Sequence, residues 1–148
     1  MLLKVFLVED ETVIREGLRD RIPWDQFGYR FVGEAADGEM ALPLIRKTRP
    51  DVLITDIKMP FMDGLSLSKI VSTEFPRMKI IIVSGYDDFE YARQAIEVGV
   101  EQYLLKPVTR LKLKTVLLEL KDKIEQDQEQ EDYRIQFQNE IQEYEQFS

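Results

Sequence analysis

Five short apolar runs, separated by stretches with helical spacing, constrain the fold of this chain more than any other feature. The runs are residues 3–8, 29–35, 51–55, 79–83 and 102–105. The central runs do not alternate apolar with polar residues, which is typical of strands buried on both faces of a parallel sheet. Strands that alternate with helices predict repeated βαβ units with right-handed crossovers. We therefore expect a doubly wound α/β fold with a five-stranded parallel sheet between two layers of helices.

The stretches between the runs also predict which side chains each helix turns toward the core. The expected core positions are Val13, Ile14, Leu18 and Ile22 in the first helix, Phe89, Ala92 and Ile96 in the fourth, and Leu113, Leu117, Leu120 and Ile124 in the last. Asp87 and Glu90 occupy capping-box positions, Gly99 is expected to end the fourth helix, and Thr109 is expected to cap the last one. Among the aromatic residues, those expected in the core are Trp24, Phe27, Phe31 and Phe89.

Polar side chains follow four of the five strands at the point where each strand ends. They are Glu9, Asp10 and Glu11 after the first strand, Asp56 after the third, Ser84 after the fourth and Lys106 after the fifth. Each alone has an ordinary explanation as a helix cap, a turn residue or a solvated strand end. The carboxyl ends of parallel strands meet at one edge of the sheet, where such folds bind ligands. The combination therefore indicates a functional site.

The composition excludes several classes of site. The chain has no Cys and no His, which removes disulfides, thiol nucleophiles, imidazole catalysis and most zinc sites. It also excludes a role as a histidine phosphodonor. The apolar start is too short for a signal peptide, and no apolar run approaches the roughly 20 residues that span a bilayer. We therefore expect a soluble cytoplasmic protein.

The charged groups at the sheet edge suit a divalent cation and a phosphoryl group. Clustered carboxylates raise one another's pKa values unless a cation neutralises them. Where no His or Cys is available, carboxylate oxygens favour a hard ion such as Mg²⁺. A carboxylate can then attack phosphorus and form an acyl phosphate, while the metal, a lysine and a hydroxyl stabilise the transferred oxygens.

The acidic charge of the chain belongs to its C-terminal tail. The net charge is −8 at pH 7, of which residues 1–121 carry −1 and residues 122–148 carry −7. This balance argues against direct binding of nucleic acid by this chain. Apolar residues return in the tail at Tyr133, Phe137, Ile141 and Tyr144. For residues 125–132 we favour a solvated, fraying helical extension, and for 133–147 a connector helix that packs against a second copy or a following domain.

Four motifs at the strand ends resemble the receiver domain of a two-component response regulator. They are "LVEDE" at 7–11, "LITDIKMPFMDG" at 53–64, "VSGY" at 83–86 and "YLLKP" at 103–107. The resemblance covers roughly residues 2–122 and implies a flavodoxin-like strand order, 2-1-3-4-5, which places the first and third strands side by side. It implies a receiver domain over 1–122, followed by an acidic, Gln- and Glu-rich helical connector over 123–148.

The resemblance also assigns roles to single residues. Asp56 would be the phosphoacceptor, Lys106 would pair with the phosphoryl oxygens, and Ser84 would hydrogen-bond the phosphoryl group. Ser84 and Tyr103 would be the switch residues. The implied Mg²⁺ ligands are Glu9, Asp10, Asp56 and the backbone carbonyl of Lys58. The Lys106–Pro107 peptide bond is expected to be cis. The side chains at Lys58 and Tyr86 would tune dephosphorylation.

A second resemblance concerns the partners. Residues 22–42 and 84–108 are similar to receivers that precede AraC-type helix-turn-helix DNA-binding domains, so the chain is interpreted as a fragment of a longer transcription regulator. A sensor histidine kinase would supply the phosphoryl group. A homodimer would form through the face of the fourth helix, fifth strand and fifth helix, containing Tyr91, Glu97, Tyr103 and Lys112, or through the C-terminal helix. DNA would be bound only by an output domain, and no membrane is involved.

Two other functions fit parts of the pattern. A Mg²⁺-dependent phosphatase of the haloacid-dehalogenase type also forms an aspartyl phosphate, but it needs a second Asp two residues after the nucleophile, where this chain has Lys58. A degenerate receiver that serves only as a scaffold would have lost the acceptor, a metal ligand or the lysine, and all three are present. Turnover of phosphate esters and Mg²⁺-dependent phosphoryl uptake would distinguish these functions from a phosphoacceptor switch.

Overall fold

The computed structural model describes residues 1–85 and 89–147, and it consists of alternating strands and helices. The strands are β1 (Leu3–Val8), β2 (Tyr29–Ala35), β3 (Val52–Asp56), β4 (Lys79–Ser84) and β5 (Gln102–Leu105). The helices are α1 (Thr12–Arg21), α2 (Gly38–Thr48), α3 (Gly64–Glu74), α4 (Phe89–Val98) and α5 (Arg110–Phe147). In the described part of the chain, no helix is long and apolar enough to cross a membrane.

The five strands form one parallel sheet in the order β2-β1-β3-β4-β5, as expected. Val8 at the end of β1 pairs with Thr55, so Glu9 and Asp56 leave neighbouring strands at the same edge. On the other side of β3, Asp56 pairs with Val83 of β4. The topology therefore brings the carboxyl ends of β1, β3 and β4 together. The Lys106–Pro107 peptide bond after β5 is cis, as expected.

Alternate side chains of the strands point into two separate cores. On one face, Leu7 and Ile54 join Trp24, Phe27 and the buried residues of α5. On the other face, the strands pack against buried residues of α2, α3 and α4, among them Ala95. Burial on both faces explains why the central strands are almost continuously apolar.

The structure corrects three of the predicted core positions. Val13, Phe89 and Ile96 are 84%, 81% and 73% exposed. In α4 the buried residue is Ala95, with Tyr91 packed beside it, so the helix is rotated relative to the predicted face. Ala95 and Tyr91, rather than Phe89 and Ile96, therefore pack toward the sheet. The predicted capping role of Asp87 lies outside the described residues.

The last helix is continuous from Arg110 to Phe147, and residues 125–132 form an exposed part of it, as predicted for a solvated helical extension. Fraying of that part stays a prediction. Thr109 Oγ1 accepts a hydrogen bond from the Lys112 amide at 3.1 Å, which confirms the predicted cap. Its first turns are anchored by the expected stripe, with Leu113, Leu117 and Leu120 buried and Ile124 partly buried. Beyond residue 125 almost every residue is exposed. The boundary at residue 122 stays a prediction.

Gly64, at the start of α3, lies against the backbone that follows Asp56. A Cβ at this position would lie 1.8 Å from the backbone oxygen of Asp56, and the Gly64 amide donates to the Ile57 carbonyl at 2.7 Å. Gly64→Ala must therefore displace the backbone that follows Asp56, and we expect a loss of about 1–3 kcal/mol of stability. Urea denaturation measures the change.

Gly17→Ala is the matched control. Nothing lies within 4 Å of a Cβ at Gly17, which is in the middle of α1. Here alanine is expected to increase stability by about 0.5–1 kcal/mol, because glycine loses more backbone entropy in a helix. Equal urea midpoints for the two variants would contradict the close approach at Gly64.

Candidate functional site

The carboxyl edge of the sheet gathers three charged groups into direct contact. Lys106, just after β5, donates to Glu9 Oε1 at 2.7 Å and to Asp56 Oδ2 at 3.1 Å. Glu9 is 2% exposed and Asp56 is 7% exposed. Ion pairs with so little solvent are weakly screened. The two carboxylates are thus linked by one ammonium group, which belongs to a residue that follows the edge strand β5.

Backbone amides hold the second oxygen of each carboxylate. Asp56 Oδ1 accepts from the Ile57 amide at 2.8 Å, and Glu9 Oε2 accepts from the Glu11 amide at 3.2 Å. Each carboxylate is therefore fixed in orientation at the end of its own strand. The Asp56 carboxylate faces the edge of the sheet because β3 ends there and the chain turns away, with α3 starting only at Gly64.

Asp10 completes an acidic cluster with these two residues. One carboxylate oxygen from each of Glu9, Asp10 and Asp56 lies within 4.8 Å of the others. Asp10 is more accessible to solvent than the other two. An all-oxygen donor set of this charge fits a hard divalent cation such as Mg²⁺. Lys58, the fourth predicted ligand, lies in the turn after β3, and its ammonium is 5.4 Å from the centre of the Tyr91 ring.

The electrostatics of the cluster favour the uptake of positive charge. Burial raises the pKa of Glu9 to about 7, and the neighbouring Asp56 adds to this, although the hydrogen bond from Lys106 opposes it. Burial alone would lower the pKa of Lys106, but the hydrogen bonds that it donates to Glu9 and Asp56, and the charges of these two residues, raise it above its ordinary value. Lys106 therefore remains an ammonium ion at neutral pH.

The two predicted switch residues occupy the adjacent strands. Ser84 is fully buried at the end of β4, and its carbonyl accepts from the Lys106 amide at 2.7 Å. Tyr103 lies in β5 opposite Ile82 and packs, partly buried, against the core beneath α4. The structure thus places Ser84 beside the charged cluster, and Tyr103 farther back along β5 against the same core as Ala95 of α4.

One supporting residue was not predicted from the sequence. Arg15 of α1 donates to the Glu9 carbonyl at 2.7 Å and lies 3.6 Å from Glu34 of β2. It holds the backbone that carries Glu9 against the second strand. The sequence did hold a signal for this contact. Arg15 lies one helical turn after Glu11, so its side chain is on the side of α1 that faces the end of β1.

Comparisons with known proteins place this arrangement in a family. The model of the response regulator receiver domain matches residues 5–118. The chain is 40% identical over 117 residues to the Bacillus subtilis transcriptional regulatory protein YesN, covering 79% of this chain and 32% of that protein. It is also 40% identical over 116 residues to the transcriptional regulatory protein HptR of Staphylococcus aureus, covering 78% and 45%. The chain therefore spans less than half the length of these two curated relatives.

Solved structures agree with this assignment. The receiver domain of AraT, a response regulator from Geobacillus stearothermophilus, is 45% identical, with a TM-score of 0.81, over 86% of this chain and 99% of that one. A DNA-binding response regulator of the LuxR family from Staphylococcus aureus is 26% identical, with a TM-score of 0.72, over 83% and 98%. The chain belongs to the response regulator receiver domain family, whose members are phosphoacceptor switches that sensor histidine kinases phosphorylate.

Proposed function

We propose that this receiver domain accepts a phosphoryl group on Asp56. The observation that carries the proposal is the contact of the Asp56 carboxylate with the Lys106 ammonium, inside an acidic cluster at the end of β3. A carboxylate needs no separate base to act as a nucleophile toward phosphorus, because no proton has to be removed from it. Lys106 is in place to neutralise charge on the transferred oxygens.

Mg²⁺ would be held by Glu9, Asp10 and Asp56, with the backbone carbonyl of Lys58 as a further ligand. When bound, the ion would supply positive charge against the phosphoryl oxygens. Within this chain, Asp10 offers the most accessible carboxylate of the cluster, while buried Glu9 is held by Lys106 and the Glu11 amide. The three acids together carry more negative charge than Lys106 neutralises, which favours a divalent cation.

In the transfer step, an Asp56 carboxylate oxygen attacks phosphorus of a phosphohistidine on the partner kinase. A phosphorus–oxygen bond forms as the phosphorus–nitrogen bond breaks, and the imidazole nitrogen keeps the electron pair. The Lys106 ammonium and the Ser84 hydroxyl then hydrogen-bond the phosphoryl oxygens. Charge-assisted hydrogen bonds of this kind are worth on the order of 1.5–3 kcal/mol each. Water later hydrolyses the acyl phosphate, and the side chains at Lys58 and Tyr86, the latter outside the described residues, tune that rate.

Phosphorylation is proposed to shift Ser84 and Tyr103 together. The added charge and acceptor oxygens at Asp56 supply a free-energy difference comparable to the few kcal/mol that separate two populated conformations. Tyr103 packs against the core that includes Ala95 of α4, so its movement would change the surface that α4 and β5 present.

The surface formed by α4, β5 and α5 is proposed to transmit the switch to a partner. It is proposed to include Tyr91, Glu97, Tyr103 and Lys112. Exposed apolar side chains are already present on α4 and α5, namely Phe89, Ile96 and Leu111. This face, or the C-terminal helix, would pair two receivers and control a transcription-regulating domain, in which an AraC-type helix-turn-helix would contact DNA. A cytoplasmic location stays a prediction.

The first test is phosphoryl uptake. Incubation with Mg²⁺ and acetyl phosphate is expected to add one phosphoryl group, seen by intact mass, that is lost in base and absent without metal. Asp56→Asn abolishes the adduct because the nucleophile is removed. Asp20→Asn, an exposed carboxylate on α1, is the matched control and retains it.

Other outcomes of the same experiment separate the alternatives. Continuous release of phosphate from simple phosphate esters would indicate a phosphatase. If the folded, Mg²⁺-loaded chain accepts no phosphoryl group from acetyl phosphate or from a phosphorylated kinase, the scaffold function replaces the switch.

The second test concerns Ser84. In Ser84→Ala the hydroxyl that would bind the phosphoryl group is absent, while Asp56 and Lys106 remain. We expect phosphorylation to proceed, but the phosphorylation-dependent change in the NMR signals of the Tyr103 ring to fall severalfold. Ser72→Ala, a partly exposed serine on α3 away from the charged cluster, is the control. An unchanged response in Ser84→Ala would refute the proposed coupling.

The ionisation of Glu9 is expected to make the stability of the metal-free protein depend on pH. The folded-state pKa of Glu9 is raised from 4.5 to about 7, so the folded protein binds this proton more tightly than the unfolded chain. The contribution of Glu9 to the free energy of unfolding is fully present below about pH 4.5 and is lost as the pH rises through about 7. In EDTA, Glu9→Gln should therefore remain more stable than the wild type at pH 8.

Thermal unfolding from pH 5 to 8 measures the difference. Glu16→Gln, an exposed substitution on α1, should follow the wild type across this range. If Glu9→Gln and the wild type lose stability in parallel as the pH rises, the ionisation of Glu9 is not the cause.

A further inference from the structure

An apolar cavity of about 450 Å³ lies beneath α1, next to the proposed phosphorylation site. Its apolar lining comes from the strands, from α1 and from the turn after β5, namely Leu7, Val8, Ile14, Leu18, Ile54, Val83, Pro107 and Val108. The cavity is open to solvent on one side and its lining is mostly apolar, so it has room for an apolar molecule of this volume.

The position of α1 explains why the cavity exists. No residue of this helix is buried, and Ile14 and Leu18 are only partly buried. Polar contacts hold the helix instead. Arg15 donates to the Glu9 carbonyl at 2.7 Å, and Arg19 donates to Glu34 at 2.9 Å. These contacts hold α1 along one side, while Leu18 packs against the core and both Ile14 and Leu18 keep part of their surface exposed toward the cavity.

Charge at one end of the cavity indicates the chemistry of the occupant. Among the described lining residues the charged ones are Glu9, Asp56 and Lys106. The single ammonium of Lys106 faces three acidic side chains, because Asp10 lies close to Glu9 and Asp56, so acidic groups outnumber cationic ones at this end. A cationic group is attracted to this end, and an anionic group is repelled.

We propose that this cavity binds a small cationic amphipathic molecule. An aromatic ring or short acyl chain would lie between α1 and the sheet, in contact with Leu18, Ile54 and Val83. A single ammonium group would face Glu9 and Asp56. The volume is within the range of small-molecule sites, which are mostly apolar with a few polar groups that fix orientation.

The proposal adds a form of regulation to the proposed function. The ammonium group would occupy the same carboxylates that Mg²⁺ needs, so ligand and metal would exclude each other and the ligand would slow phosphorylation of Asp56. This consequence rests on the proposed function. Binding itself does not, and it is measured on the unphosphorylated, metal-free protein.

The test uses 1-naphthylmethylamine as the probe and 1-naphthaleneacetate as its anionic counterpart. Methyl NMR spectra of the whole chain are recorded while each compound is added. The amine should give saturable shifts in the methyl signals of Leu7, Ile54 and Val83, but not of Leu67 in the opposite core. We expect the amine to bind at least about tenfold more tightly than the carboxylate, and saturating Mg²⁺ to weaken amine binding.

Variants locate the binding site. Leu18→Trp fills the cavity from α1 and should weaken amine binding at least tenfold, whereas Val13→Trp on the exposed side of the same helix should leave it unchanged. Val108→Trp narrows the cavity from the turn after β5 and is the second test if Leu18→Trp disturbs folding. Absent or unsaturable shifts, equal binding of the two probes, or unchanged binding in the filled variants would each overturn the proposal. A failure of Asp56 to accept a phosphoryl group would leave these binding results unaffected.

Discussion

The site depends on one ammonium group placed between two buried carboxylates. Lys106 comes from the end of β5, yet it contacts Glu9 after β1 and Asp56 at the end of β3. Because both acids are nearly shielded from water, removing the lysine would leave two like charges facing each other. The contact therefore links the first strand, the central strand and the edge strand of the sheet, and it fixes the orientation in which the central carboxylate is presented.

The fold makes this contact possible through its strand order. With β1 beside β3, the acids that end these strands become neighbours even though they are 47 residues apart. The same order places β4 and β5 successively farther out, so the long side chain of Lys106 must cross the end of β4 to reach them. A lysine is suited to that distance, because its flexible stem ends in a compact charge.

The sequence predicted the sheet and the residues at its edge because both depend on local signals. Apolar runs identify strands, and polar residues directly after them identify the edge. The rotation of α4 was not predictable in this way, since Phe89 and Ile96 have helical spacing but Ala95 is the residue that fits against the sheet. The cavity beneath α1 could not be predicted from the sequence either. The apolar spacing of Ile14 and Leu18 indicates which face of the helix is turned inward, but not how closely that face packs against the strands.

Because α5 is continuous, a small rotation of its embedded turns would move its far end by a larger distance. Its first turns are embedded in the core through Leu113, Leu117 and Leu120, and the helix then continues without a break to Phe147. At 1.5 Å per residue, the exposed part beyond residue 125 is roughly 33 Å long. A tilt of about 5° at the embedded turns would carry the far end through roughly 3 Å. A repacking too small to alter the sheet can therefore become a displacement comparable to the width of an atom at the end of the helix.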